Sequence, residues 1–402
     1  MPRIAILSQF YPPEPCAAAN RVAALARALA ESGNEVHVYT AMPSFPQGAV
    51  TAPYRGRVHA VERDGPVTVE RTWTCAPSLG LPGERLLTWL SVALGSALRI
   101  VAVGERYDVV LVSSPPITLA LPALLGAFAH RAALLVDVRD VFPEIAIAMG
   151  AWRADGWLAR AVGRVADALY RRAALIACVT ASARDEIAAR GVPLAKLVLV
   201  PNGFDPVEPA SKAVTAPLPG VRDVVYVGNM GSATGLDVLL DAAESLRSDR
   251  SVRFVLVGGG AEAARLRRRA RAARLNNVLF TGPLPRAAAL RALADAALSV
   301  VPLVASIADS VPTKLYDAMA VGTPVVLCAR GEARQLVERS GSGICVAPGD
   351  ANALAGAIGR VLADDELRAR LGAGGPGFVR AHYDRAAGMR SFAERVTTLS
   401  VR

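Results

Sequence analysis

The chain has 402 residues, more than one hydrophobic core comfortably holds, so two domains are the default expectation. With 52% hydrophobic and 20% charged residues it falls outside the disordered and collagen-like classes, and its apolar runs are shorter than the roughly 20 residues a membrane-spanning helix needs. The net charge of +10 is carried almost wholly by arginine, the only lysines being Lys196, Lys212 and Lys314, and arginine number alone implies no nucleic-acid partner.

Arg3–Ser8 reads as a buried parallel strand, with no apolar run long enough for a signal peptide. A proline-rich loop follows, then an amphipathic helix over Ala19–Glu31 that Gly33 ends, then a strand over Glu35–Thr40: one βαβ unit. The apolar stretch Leu86–Leu98, bounded by Arg99, is either a helix buried in this domain or one docked in a membrane interface, where Trp89 and the flanking Arg85 and Arg99 suit the headgroup level. Asp108–Ser113, Leu134–Asp137, Ile176–Val179 and Leu197–Val200 continue the strands with helices between them, which predicts an α/β, doubly wound sheet.

Residues 206–220 (PVEPASKAVTAPLPG) lack an amphipathic pattern and read as a linker, so the first domain spans 1–205. The alternation then restarts over 221–385. Strands are predicted at Asp223–Val227, Val252–Val257, Val278–Thr281, Leu298–Pro302 and Val325–Cys328. Helices are predicted at Gly235–Leu246, Ala261–Arg274, Pro285–Asp295 and Thr313–Ala320. The arginines of 265–274 form a solvated helix face or, alternatively, a face that attracts anionic lipid. Residues 386–402 end the chain with a helix over Ala386–Leu399.

Five scattered cysteines without C-x-x-C spacing imply reduced thiols and a cytoplasmic protein rather than a disulfide frame. His37, His59, His130 and His382 show no metal-ligand spacing, and no metal or cofactor is expected. The pattern with most chemical content is DSVPTKLYDAMAVGTPVV. Asp309 and Asp317 bracket a helix N-terminus, whose free N–H groups and positive dipole end suit a phosphate. Carboxylates on either side of a phosphate seat can accept hydrogen bonds from hydroxyls, the layout of a nucleotide-sugar. The plain alternative is a capped surface helix that happens to contain two Asp.

This segment resembles the acidic-pair motif of the retaining glycosyltransferases of family four, with Asp in place of both Glu. VPNGFD (200–205), YVGNMGSATGLDVLLDAAESL (226–246), FVLVGGGAEAARL (254–266) and VLFTGPLPRAAAL (278–290) are similar to further segments of that family. FYPPEP, NRVAALARALAESGNEVHVYT and DVRDVFPE (137–144) resemble its WbuB-like branch, which builds bacterial surface polysaccharides. The resemblance implies a GT-B fold: two Rossmann-like domains facing across a cleft, with the C-terminal helix crossing back to the N-terminal domain. It implies transfer of a hexose or amino-hexose, with retention, from a nucleotide-diphospho-sugar (a UDP-sugar) to a lipid-linked or other glycan acceptor, at the inner face of the membrane. A metal is mostly not required in such enzymes.

Carried over residue by residue, Asp309 contacts the donor sugar and Asp317 the ribose. Gly228, Asn229 and Gly231 form the diphosphate loop, Leu284 and its neighbours hold the base, and Ser310, Thr313 and Leu315 line the donor seat. Relatives carry an Arg and a Lys in the glycine loop and this chain has neither, so Lys314 is the replacement cation or, alternatively, a solvent-facing helix residue. In the first domain, Cys16-Ala17-Ala18-Ala19-Asn20-Arg21 replaces the family's Gly-Gly, making Asn20 and Arg21 candidate acceptor contacts. Arg139 and Asp140 stand where many relatives have a His. Asp140, or else Glu144, is the candidate to activate the acceptor hydroxyl; the alternative for Asp140 is a salt bridge with Arg139. Two other functions stay open: a nucleotide-sugar epimerase, and a binder of sugar nucleotide or polysaccharide that performs no transfer.

Overall fold

The structure, a computed structural model, describes all residues except 46–47, 77–83, 103, 105, 207, 216–217, 308–309 and 401–402, together with the side chains of Arg85 and Ser400. Two compact units divide it: residues Met1–Asn202 with Arg385–Arg402, and residues Gly203–Asp384.

The first unit runs β1 (Arg3–Leu7), α1 (Ala17–Glu31), β2 (Glu35–Ala41), β3 (His59–Asp64), β4 (Val67–Thr72), α2 (Glu84–Ala102), β5 (Val109–Ser114), α3 (Ala120–His130), β6 (Ala133–Val138), α4 (Glu144–Ala148), α5 (Trp157–Arg172), β7 (Leu175–Cys178), α6 (Ala181–Ala189) and β8 (Leu197–Leu199). These strands make one sheet in the order β3-β4-β2-β1-β5-β6-β7-β8. Every pairing is parallel except β3 on β4. Parallel strands covered on both faces must be apolar throughout, and Val109–Ser114 is buried at every position. The β3–β4 hairpin turns at Gly65-Pro66, with Gly65 at φ +58° and Asp64 paired with Val67. HAVERD and VTVERT on either side of Gly65-Pro66 make a hairpin that was not among the strands expected from apolar runs.

On one face of this sheet lie α2, α3 and α5, sharing a core with Val110, Val112 and Val136. On the other lie α1 and the C-terminal helix, Arg385–Ser400. Met389, Phe392, Ala393 and Val396 of that helix share a core with Val22, Leu25 and Leu29 of α1. Arg385 Nε donates to the Asn202 carbonyl at 2.7 Å.

Arg21 and Asp137 tie α1 to β6 beneath this surface, each side chain 1% exposed. The guanidinium donates to the carboxylate at 2.6 and 2.9 Å and also to the carbonyl of Pro201 at 3.2 Å. Ser113 Oγ adds a third donor to Asp137 at 3.0 Å. Such a pair is tolerated inside a core because each charge is neutralised and hydrogen-bonded, and removing one partner strands the other.

The second unit runs β9 (Arg222–Val227), α7 (Leu236–Ser245), β10 (Val252–Val257), α8 (Ala263–Ala272), β11 (Val278–Gly282), α9 (Arg286–Asp295), β12 (Leu298–Pro302), α10 (Thr313–Ala320), β13 (Val325–Cys328), α11 (Gly331–Ser340), β14 (Gly343–Val346), α12 (Ala351–Ala363) and α13 (Asp365–His382). Its six strands are all parallel, in the order β11-β10-β9-β12-β13-β14. Counted within the unit this is 3-2-1-4-5-6, the doubly wound order whose direction reverses between its first and fourth strands.

Arg21→Met is expected to lower the stability of the whole chain by about 3–5 kcal/mol, because Asp137 is left buried and charged. Arg21→Met/Asp137→Leu should recover most of that loss. Urea denaturation of the two variants beside the unmodified chain checks both.

Candidate active site

At a reversal of strand order the connections leave to opposite sides, opening a crevice at the carboxyl ends of the strands. In the second unit this point lies between β9 and β12. The loop after β9 holds Gly228, Asn229 and Gly231; the loop after β12 leads to α10.

Two glycine loops are pressed together there. The Gly228 amide donates to Val257 O at 3.0 Å, the Gly258 amide to Gly282 O at 2.9 Å, and the Met230 amide to Gly259 O at 2.7 Å. Gly228 and Gly258 have φ of +142° and +134°. A Cβ on Gly258 would stand 2.0 Å from the Gly228 carbonyl oxygen, so no side chain fits. One on Gly260 would stand 2.5 Å from Asn229 Oδ1. The glycines therefore serve backbone-to-backbone packing at the strand ends, a requirement prior to any approach of a ligand.

Lys314, the second residue of α10, reaches this loop. Its ammonium donates to the Tyr226 hydroxyl at 2.6 Å and lies 4.2 Å from the centre of that ring. The hydroxyl in turn donates to the Asn229 carbonyl at 2.6 Å. A Cβ on Gly228 would be 3.3 Å from Lys314 Nζ. The residue as a whole is half-buried, but its charged end is enclosed, and burial pushes its pKa down to about 7. The reading of Lys314 as a solvent-facing helix residue is thereby corrected: it points inward, beneath the glycine loop.

Pro312 is the N-cap of α10 and Thr313 its first residue. Among the described residues the amides of Thr313 and Lys314 have no acceptor, as expected of a helix start. Ser310 is partly exposed and its amide donates to Ile307 O at 3.0 Å. Leu315 requires a correction. Its side chain is fully buried in the core and its amide donates to Pro312 O at 3.0 Å, so it has nothing left to offer a donor molecule.

Asp317 is held by Arg286, Nη2 to Oδ1 at 2.8 Å and Nη1 to Oδ2 at 3.3 Å. Arg286 opens α9, just after Leu284, which packs against the core from the loop following β11. A carboxylate oxygen keeps a second lone pair when it accepts one bond, so Asp317 can still receive hydroxyl donors. No sequence signal marked Arg286, which is brought to Asp317 only by the fold. Asp309 lies outside the described residues.

The corresponding edge of the first unit holds the residues expected to meet an acceptor. Arg21 does not do so: its guanidinium is committed to Asp137 inside the core, and that expectation is corrected. Asn20 sits on the first turn of α1, partly exposed. Arg139 donates to the Pro115 carbonyl, leaving its Nε buried without a partner. Asp140 makes no ion pair with Arg139 among the described residues. Burial raises the pKa of Asp140, against the opposing field of Arg139, whose own pKa burial lowers. Glu144 is bound to Arg190, which also reaches Asp167 at 3.2 Å, while Glu144 Oε2 is buried without a partner.

Glu14 was missed. It is 3% exposed, accepts the Ser44 and Phe45 amides on Oε1, both at 3.0 Å, and leaves Oε2 buried without a partner. Burial raises its pKa. A glutamate between two prolines in PPEP carries no sign in sequence that it is interior. Among the described residues no group of three His, Cys, Asp or Glu side chains is arranged to hold a metal ion.

Two family models match the chain in succession: the glycosyl transferase 4-like domain over residues 17–203 and the glycosyl transferases group 1 model over residues 221–364. The chain belongs to glycosyltransferase family four. Its relatives include the putative colanic acid biosynthesis glycosyl transferase WcaI of Escherichia coli K12, 29% identical over 83% of this chain and 86% of its own length. Among solved structures, the sucrose-phosphate synthase of Thermosynechococcus elongatus superposes with a TM-score of 0.76 at 23% identity, covering 99% of both chains. HepE of Anabaena, in complex with UDP-glucose, superposes with a TM-score of 0.70 at 16% identity, covering 98% of this chain and 99% of its own. These similarities show the fold, GT-B.

Gly258→Ala is expected to abolish stable folding of the second unit or to weaken it by several times the cost of Gly33→Ala. The Gly33 substitution meets no atom within 4 Å and costs only the strain of its φ of +86°, about 1 kcal/mol. Thermal denaturation of both variants decides this.

Proposed function

We propose that this glycosyltransferase moves a hexose or amino-hexose from a UDP-sugar to a glycan acceptor, lipid-linked in the cell, with retention of configuration, in the assembly of a cell-envelope polysaccharide. The observation that carries the reading is Lys314. A lysine held at a glycine loop, in the first turn of a helix, on the strand-order reversal of a doubly wound sheet, is a cation positioned for a diphosphate. The complex of HepE with UDP-glucose supports UDP as the nucleotide, and the name of WcaI supports an envelope polysaccharide.

In this reading the diphosphate lies against the amides of Thr313 and Lys314, the loop at Gly228, Asn229 and Gly231, and the Lys314 ammonium. Ser310 stands beside it. Asp317, held by Arg286, accepts from the ribose hydroxyls, and main-chain groups at Leu284 hold the base. Asp309 contacts the sugar. As the glycosidic C–O bond breaks, negative charge grows on the leaving diphosphate, and fixed cations and N–H dipoles stabilise it without reorganising. The acceptor oxygen forms the new bond on the same face, and its proton passes to the departing phosphate oxygen. In the first unit Asp140, with Asn20 and Arg139, orients the acceptor hydroxyl.

Purified chain should bind one UDP-sugar and release UDP slowly, faster with membrane extract as the source of acceptor. Lys314→Ala should weaken nucleotide binding about 10- to 150-fold, the worth of a charge-assisted hydrogen bond. Asp140→Asn should lower turnover with donor affinity unchanged. Tight binding with no transfer to any acceptor would make the chain a binder, and the absence of nucleotide binding would overturn the reading.

Lys314 also gives a pH signature. In the free protein burial favours its neutral form, with a pKa of about 7. A bound diphosphate favours the ammonium and raises that pKa. Nucleotide binding above pH 7 should therefore take up a proton, and affinity should weaken toward pH 9 by up to about tenfold per unit. Calorimetry at pH 8 in buffers of different ionisation enthalpy measures the uptake, which Lys314→Ala should remove.

A further inference from the structure

The outer faces of α2 and α3 are apolar where the surface of a globular domain is normally mixed. On α2, Leu90, Leu94 and Leu98 recur at four-residue spacing, and Leu94 and Leu98 are 60% and 64% exposed. On α3, Leu125 and Phe128 are 53% and 85% exposed. The two helices are locked side by side. Gly126 of α3 admits Ile100 of α2, whose Cδ1 stands 2.5 Å from where a Cβ would be, and His130 Nε2 lies 2.6 Å from the Ile100 carbonyl. Their inward residues, Val92, Ile100, Ala120 and Ala123, share the domain core. The outward leucines are thus surplus to packing, and contiguous exposed patches of this kind mark interaction surfaces.

The neighbouring helix supplies the charge. α5 shares the same core and presents Trp157, 75% exposed, followed at helical spacing by Arg160, Arg164 and Arg171. All three arginines are exposed, and none has a carboxylate partner among the described residues. Across α2, α3 and α5 the sequence has six arginines (85, 99, 160, 164, 171 and 172) against two acids, Glu84 and Asp167, a net of +4, and Asp167 is bonded to Arg190. No described helix is long and apolar enough to cross a membrane.

We propose that α2, α3 and α5 form a docking face for an anionic lipid bilayer. The leucines and Phe128 enter the acyl boundary, Trp157 lies at headgroup level, and the α5 arginines meet lipid phosphates. An apolar stripe beside an unpaired basic stripe is complementary to that surface in both respects. A protein partner would need an acidic rim around an apolar centre, and a second copy of this chain would bring arginine to arginine. The proposal deepens the reading of a lipid-linked acceptor by naming the surface that brings the enzyme to it. It stands on the first unit alone, so vesicle binding without nucleotide tests it apart from transfer.

The test is co-sedimentation of the full chain with vesicles of phosphatidylglycerol and phosphatidylethanolamine, against phosphatidylcholine vesicles, at low and high salt. The expected result is binding to the anionic vesicles that weakens with salt. Leu98→Glu/Phe128→Glu should lose it at least tenfold, and Arg160→Ser/Arg164→Ser should lose about fivefold per arginine. Unchanged thermal unfolding and UDP-sugar hydrolysis would show both variants intact. No vesicle binding, or equal binding to neutral vesicles, would overturn the proposal. So would a concentration-dependent dimer in light scattering that Leu98→Glu/Phe128→Glu dissolves while vesicles are ignored.

Discussion

The close approach of Gly258 to the Gly228 carbonyl, where a Cβ would stand 2.0 Å from the oxygen, sets the strand ends of the second unit. Adjacent parallel strands β9 and β10 end at the same level, and their chains must turn away without colliding. Two residues of positive φ and no side chain allow it. Once the turns are that tight, the loop after β9 is pinned to the loop after β10, and Tyr226, at the end of β9, caps it by donating to Asn229. Lys314 places its ammonium on the Tyr226 hydroxyl beneath that loop. The cation of the candidate site thus stands against the packed strand ends.

The first unit solves a different problem with a buried charge pair. At the strand ends of its sheet and in the loops beside them, polar groups stand buried without partners, Glu14 Oε2, Arg139 Nε and Ser114 Oγ among them. Unsatisfied buried groups cost stability, and those that persist are completed by an ordered water, an ion or a ligand. Arg21 and Asp137 hold α1 against β6 within the same unit.

Much of the fold was legible because buried parallel strands are apolar runs and because Gly and Pro punctuate them. Val252–Val257, Leu298–Pro302, Thr313–Ala320 and Val325–Cys328 stand as read from the sequence. The β3–β4 hairpin was missed because its half-exposed strands carry Glu, Arg and Asp, which do not make an apolar run. The site was legible only as far as residues that act through their neighbours in sequence. Lys314 and Asp317 could be picked from one helix. Arg286 on Asp317 and Arg21 on Asp137 join residues 31 and 116 positions apart, and spacing along the chain cannot announce a pair made by folding. Leu315 and Arg21 were assigned to ligands because their types and positions fit, while their burial was invisible.

The central claim is that the donor nucleotide sits on the second unit at the reversal of strand order. Hydrogen–deuterium exchange of the full chain with and without UDP-sugar tests it most directly. The account predicts slowed exchange at the amides of 228–235 and 313–317, lost in Lys314→Ala. Protection confined to the first unit, or to segments of the second unit away from both loops, would contradict it.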